Sequence, residues 1–197
     1  MKTVVIDYNA GNVQSVLFAL KRLNIYGEIT NDIRKITSAD KVIFPGVGEA
    51  GSTMRFLRSK GLEKVIPALK QPLLGICLGL QLLCKHSEEN NTECLGVFNQ
   101  NVVRFNPAGA IKFKVPHVGW NDIYGLKGEL FKNLPEKFQV YFVHSFYAPV
   151  SDVTSACCAY ADVFSAAMEK NNFYAVQFHP EKSGDYGEAI LNNFIRL

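Results

Sequence analysis

The chain has 197 residues, 48% of them apolar and 20% charged. This composition excludes a disordered or collagen-like chain, and the length fits one domain whose core needs neither metals nor disulfides to fold. Lys and Arg number 21 against 18 Asp and Glu, a net charge of +3 without any basic run, which does not fit a nucleic-acid partner.

In chain order, residues 3–7 are a short β-rich run. A turn over 8–12 follows, with Asn12 as a helix N-cap, and then Val13, Val16, Leu17, Leu20 and Leu23 at helical spacing. Residues 41–45 form a second strand, leading through the glycine-rich 46–51 into a helix from about Ser52. A third strand, 73–77, runs into a helix carrying Leu78, Gln81 and Leu82. Repeated βα units predict a parallel sheet covered on both faces by helices. Beyond residue 100 the pattern changes to short strands at 102–105, 115–118, 140–143 and 155–160. Residues 163–169 and 173–178 flank Lys170-Asn171-Asn172 as a hairpin, and 189–195 read as a closing helix. The predicted fold class is α/β: a single-domain open mixed sheet over 1–197, with a mostly parallel core flanked by helices and an antiparallel extension.

Five cysteines (Cys77, Cys84, Cys94, Cys157 and Cys158) show no C-x-x-C spacing, so neither a zinc site nor a disulfide framework is expected. Free thiols fit a reducing cytosol. The first residues reach Asp7 after three consecutive apolar positions, too few for a signal peptide. The stretch 73–84 is interrupted by Gly75, Gly79 and Gln81 and is far short of the ~20 residues that span a bilayer. A soluble cytoplasmic protein without membrane, metal or cofactor is expected.

The chemistry-bearing segments begin with Gly75-Ile76-Cys77-Leu78-Gly79, between an apolar strand and an apolar helix. This is a nucleophile-elbow pattern with cysteine as the nucleophile. Its glycines leave room for a tight turn, a helix N-terminus beneath the sulfur stabilises negative charge, and the Leu78 N–H faces a developing oxyanion. A buried structural cysteine between two packing glycines is the alternative. Next comes Gln177-Phe178-His179-Pro180-Glu181-Lys182-Ser183, after a strand. Extended geometry carried through this segment would put His179 and Glu181 on one face, so that Glu181 orients the imidazole. An exposed turn is the alternative here. Together the two segments make a Cys77/His179/Glu181 triad at converging strand ends. Pro45-Gly46-Val47-Gly48 can supply a second oxyanion N–H, from Val47 or Gly48. Gly46, Gly48 and Gly51 also spell a dinucleotide fingerprint, but the acidic residue expected at the end of the next strand is missing, so a nicotinamide or flavin site is rejected. Cys84, Cys157 and Cys158 read as small core residues and His86 as a solvated loop residue.

These motifs, in this order, resemble the class I (triad) glutamine amidotransferase family over residues 4–197. Asp7-Tyr8-Asn9-Ala10-Gly11-Asn12, Pro116-His117-Val118-Gly119-Trp120-Asn121 and Tyr141-Phe142-Val143-His144-Ser145-Phe146-Tyr147 look like the branch serving imidazole glycerol phosphate synthase. Asn9, Glu49 and Leu80 stand where that branch often has Gly, Ala and Met, and Glu49 puts a charge beside the oxyanion turn. The resemblance implies glutamine hydrolysis through a glutamyl thioester on Cys77, with Gly46, Gln81, Ser145 and Phe146 holding glutamine. It implies no cofactor, and ammonia delivery to a separate (β/α)8-barrel synthase subunit in a heterodimer of the histidine pathway. The same glutaminase serving another synthase, such as a sugar amidotransferase, or a stand-alone cysteine hydrolase, are the alternatives. Asn12, at a strand end, Lys182, next to the triad acid, and Trp120, an aromatic anchor, are the expected docking residues; the competing reading makes Trp120 core and Lys182 merely solvated.

Overall fold

A computed structural model describes residues 1–8, 13–106 and 113–197. Its elements in chain order are β1 (Thr3–Ile6), α1 (Val13–Arg22), β2 (Gly27–Thr30), α2 (Ile33–Thr37), β3 (Lys41–Phe44), α3 (Ala50–Ser59), α4 (Leu62–Ala68), β4 (Leu73–Ile76) and α5 (Leu78–Leu83). Then follow β5 (His86–Ser87), β6 (Thr92–Glu93), β7 (Asn101–Arg104), β8 (His117–Tyr124), β9 (Phe138–His144), β10 (Phe146–Tyr147), β11 (Thr154–Ala159), β12 (Val163–Lys170), β13 (Phe173–Val176) and α6 (Gly184–Ile195). Among the described residues, nine strands form one sheet in the order β2-β1-β3-β4-β13-β12-β11-β8-β9. The half from β2 to β13 is parallel and the rest antiparallel, as the sequence pattern predicts. A small second sheet, β10-β7-β5-β6, stands beside it.

The central strands β1, β3 and β4 are buried at every position, because helices cover both faces. Strand alternation sends Val5, Ile43 and Leu74 into one core with Val16 and Leu20 of α1 and Ile190, Leu191 and Phe194 of α6. Val4, Ile6, Val42 and Phe44 enter the other core with Met54 and Leu57 of α3 and Leu80, Leu82 and Leu83 of α5. Several expected boundaries move; the closing helix begins at Gly184 rather than 189, and β9 runs Phe138–His144 rather than 140–143. Helix α3 starts at Ala50 because the Glu49 side chain caps it, accepting from the Gly51 and Ser52 N–H groups. Strand β8 starts at His117 and runs to Tyr124, since Pro116 has no N–H for the ladder. Strand β13 ends at Val176, two residues before the expected end at 178.

Strands β3 and β4 are neighbours, and the turns that follow them interlock. A Cβ on Gly79 would lie 2.1 Å from the Phe44 carbonyl oxygen. One on Gly46 would lie 2.4 Å from each of Ile76 O, Leu78 N and Gly79 N. These are backbone atoms, which cannot swing aside as a flexible side chain could. Helix propensity alone would make Gly79→Ala a gain of ~1 kcal/mol. Crowding reverses the sign: the substitution is expected to cost ~1–3 kcal/mol, measured as a lowered urea midpoint. An unchanged or raised midpoint would refute the interlock.

Candidate active site

Cys77 occupies the single-residue step between β4 and α5, with φ 52° and ψ −106°. Few non-glycine residues adopt this conformation, and it stores ~1–3 kcal/mol of strain. Its backbone is pinned by an N–H to the Val176 carbonyl at 2.7 Å. The sulfur lies 3.9 Å from the Val143 carbonyl oxygen and 3.6 Å from Gln177 Nε2.

Because β13 is the parallel neighbour of β4, with Val176 opposite Ile76, the residues leaving β13 emerge beside Cys77. Extended geometry does not persist to Glu181. His179 instead caps a 3-10 turn, Pro180–Lys182, that folds Glu181 back onto the ring. His179 Nδ1 and Glu181 Oε1 are 2.8 Å apart, with both side chains 1% exposed. The turn is fixed from outside by His179 N–H to the Tyr141 carbonyl, at 2.9 Å, and by Ser183 Oγ, which donates to the His179 carbonyl and accepts from the Tyr141 N–H. Burial pushes the His179 imidazole down, but the charge and hydrogen bonding of Cys77 and Glu181 outweigh it and leave the pKa raised to about 10. The ring is therefore an imidazolium at neutral pH, with Nε2 buried and left over for Cys77 and a substrate.

A cavity of about 330 Å³ opens over this pair. Its walls carry every expected oxyanion and glutamine-holding residue, namely Gly46, Val47, Gly48, Leu78, Gln81, Ser145 and Phe146, together with Cys77 and His179. Glu181 lies behind His179. Gly48 has φ +129°, open to few residues but glycine. The Tyr8 hydroxyl donates to the Pro45 carbonyl and so holds the oxyanion turn at its first residue. The Glu49 charge faces away, toward the start of α3 and Asn90.

The cavity has further walls that sequence reasoning missed. Glu89 brings a carboxylate, one oxygen of which accepts from the Ala50 N–H at 2.8 Å. Its charged "EENN" surroundings read as a solvated loop, and nothing in the sequence marks this position. His144 also lines the cavity and is hydrogen bonded to His117 at 3.1 Å and to the Phe146 carbonyl at 2.8 Å. Burial pushes His144 down to about 3 and His117 down to about 4, so both are neutral. Cys84 and Cys158 are fully buried core residues, whereas Cys157 is half-exposed on β11. Burial raises the Cys158 thiol to about 12. His86 is hydrogen bonded to Asn91 in β5 rather than free in a loop.

The expected docking residues lie apart from the cavity. Trp120 is not core: it is 53% exposed on β8 and meets Tyr141 of β9 edge-on at 6.1 Å. Lys182 is exposed and sits 5.8 Å over the same Tyr141 ring. Asn12 lies outside the described residues. No helix among the described residues is long and apolar enough to cross a membrane.

Comparison with known proteins is consistent with this geometry. Residues 4–197 match the family described as Glutamine amidotransferase class-I. The chain is 55% identical to the imidazole glycerol phosphate synthase subunit HisH of Bacteroides fragilis, over the full length of both. It is 42% identical to the HisH subunit of Shewanella loihica, covering 99% of this chain and 90% of that one. A crystal structure of a glutamine amidotransferase, 20% identical, superposes with a TM-score of 0.74 over 98% of this chain and 97% of the other, which shows the shared fold. With the match running from the first strand to the last residue, the chain belongs to the class I glutamine amidotransferase family.

Proposed function

We propose that this chain is the glutaminase subunit of imidazole glycerol phosphate synthase. It acts in histidine biosynthesis as one domain across residues 1–197, with a separate (β/α)8-barrel subunit in a cytoplasmic heterodimer. The observation that carries the reading is that Cys77 and His179, the latter backed by the buried Glu181, line one cavity large enough for an amino acid. The full-length similarity to HisH subunits supports the pathway. Five free thiols support a reducing compartment.

In this reading the Cys77 sulfur bonds to the side-chain amide carbon of glutamine, its proton already resting on His179. The amide oxygen takes the electron pair and is met by the N–H of Leu78 and that of Val47 or Gly48. Collapse breaks the C–N bond as His179 Nε2 gives its proton to the nitrogen. Ammonia leaves, and a glutamyl thioester remains. The now neutral ring takes a proton from water, which attacks the thioester and frees glutamate. Gly46, Gln81, Ser145 and Phe146 hold the substrate, and the Glu89 carboxylate suits its ammonium group. Ammonia crosses a channel to the barrel subunit, which makes imidazole glycerol phosphate and aminoimidazole carboxamide ribonucleotide. Val118 and Trp120 share a face of β8, opposite Val143 and Tyr141, and with Lys182 they give the barrel an exposed apolar and aromatic surface contiguous with the cavity wall.

A diazoketone analogue of glutamine should alkylate Cys77 and leave the other four cysteines unmodified, read by peptide mass spectrometry. Cys77→Ala should abolish glutamine-dependent synthesis by the complex while preserving synthesis from added ammonia. Labelling at Cys84 or Cys157 would overturn the assignment.

Within the triad the costs should differ, because His179 moves protons whereas Glu181 orients and stabilises it. His179→Ala should be nearly inactive, and Glu181→Gln should retain a kcat at least ~10-fold higher. Equal collapse of the two folded variants would contradict these roles.

In this reading the Tyr8 hydroxyl, bonded to the Pro45 carbonyl, holds the glycine turn with its oxyanion N–H facing away from the substrate until the barrel subunit docks. Restoring such a donor is worth ~100–1000-fold in rate. The isolated chain should therefore release glutamate slowly and gain a factor of that order with the barrel subunit and its acceptor ligand. Tyr8→Phe should raise the basal rate, and Lys182→Ala should weaken the stimulation. Full activity of the isolated wild type would refute the switch.

A further inference from the structure

Gln177 is fully buried between the end of β13 and His179, and its side chain reaches the sulfur of Cys77, with Nε2 3.6 Å from Sγ. The two ends of an amide are alike in shape, so its orientation has to be fixed by its partners. Here the partners form a directed chain. The Phe146 carbonyl can only accept, and it takes N–H groups from His144 Nδ1 at 2.8 Å and from Gln81 Nε2 at 2.9 Å. The NH₂ end of Gln81 is thereby identified, and its second hydrogen goes to Gln177 Oε1 at 3.1 Å. That leaves the NH₂ end of Gln177 facing the sulfur. On the far side, His144 is neutral, and with its Nδ1 proton on Phe146 its Nε2 accepts from His117 Nδ1. Reversing the Gln177 amide would set two NH₂ groups against each other and aim a carbonyl at the sulfur.

We propose that Gln177 is a further catalytic residue, whose side-chain N–H holds the Cys77 sulfur in line with the substrate carbon and stabilises negative charge on it. The proposal rests on the reading of Cys77 as nucleophile. The Val143 carbonyl, on the sulfur, can accept from a thiol but repels a thiolate. Gln177 supplies the complementary donor. Its charge stabilisation counts whenever negative charge sits on the sulfur, as it attacks and as the thioester is cleaved, and fades while the sulfur is bonded to carbon.

The test uses the full chain in complex with its barrel subunit, with Gln177→Met, which keeps volume without a donor, and Gln177→Glu, which keeps an acceptor for Gln81 but turns an oxygen to the sulfur. In both, kcat for glutamine should fall ~10–100-fold, the range for a hydrogen bond to a charged group, with KM little changed. Alkylation of Cys77 by iodoacetamide at neutral pH should slow in parallel, and ammonia-dependent synthesis should be unaffected. A residue that merely satisfies Gln81 would lower Tm and leave kcat and alkylation per folded molecule at wild-type values, and that result overturns the proposal. Alkylation does not require glutamine turnover, so a wild type inert toward glutamine would sink the glutaminase reading while slowed alkylation still upheld the contact. If neither variant folds, the side-chain amide resonances of Gln177 in ¹⁵N-labelled wild type decide: they should move when Cys77 is alkylated, and unmoved resonances refute the contact.

Discussion

Everything at the site depends on one close approach of backbone to backbone, between the turn after β3 and the first turn of α5. Gly46 and Gly79 meet there with no room for a Cβ on either. Gly75 completes the fit, since a Cβ there would lie 2.8 Å from the Leu83 side chain and 3.0 Å from the Gly79 backbone. The contact locks the Cys77 step in its strained conformation and sets the 45–48 turn against the same sulfur. Parallel pairing does the rest. β3, β4 and β13 are adjacent and point the same way, so their ends deliver the glycine turn, the cysteine and the His-Pro-Glu turn to one crevice. A hundred residues of sequence separation between Cys77 and Gln177 become one strand-to-strand step.

Two histidines in the cavity wall show how far environment sets charge. His179 and His144 are both buried, and burial depresses both. His179 lies against the Cys77 sulfur and the Glu181 carboxylate, which together outweigh burial, and it ends charged. His144 has a carbonyl and another neutral imidazole and stays neutral. One ring thus carries a proton beside the sulfur, and the other acts as a fixed donor that orients a carbonyl.

Much of this was legible in the sequence because the strongest signals are local. Leu73-Leu74-Gly75-Ile76 running into a cysteine with glycines two residues to either side can be read without a fold, and so can a hairpin with Asn171-Asn172 at its turn. What was not legible depends on contacts distant in sequence or on weak patterning. β2 is an edge strand with only Thr30 buried, and α4 contains Pro67, so neither stands out by periodicity. Glu89 reaches the cavity from the turn between β5 and β6 of the small sheet, and His144 from the last residue of β9 at the far edge of the main sheet. Gln177 was visible inside a motif, yet its role depends on Gln81 and Phe146, far away in the chain. The His179–Glu181 pairing was anticipated by the wrong local geometry: a 3-10 turn, not a strand, brings the carboxylate to the ring.

The antiparallel extension does more than close the sheet: it walls the cavity and holds the His-Pro-Glu turn. On β8 and β9, Val118 faces Val143 and Trp120 faces Tyr141, and strand alternation places these four on one side. Val118 and Trp120 are exposed there, while Val143 belongs to the cavity wall and touches the sulfur through its carbonyl. The Tyr141 backbone in turn holds the His-Pro-Glu turn through His179 and Ser183. A body seated on this face would press on the strand that positions the imidazole and walls the sulfur, without entering the cavity. Surface and site thus share a single β-strand, β9, whose Tyr141 backbone holds the His179 turn and whose Val143 carbonyl lies against the Cys77 sulfur.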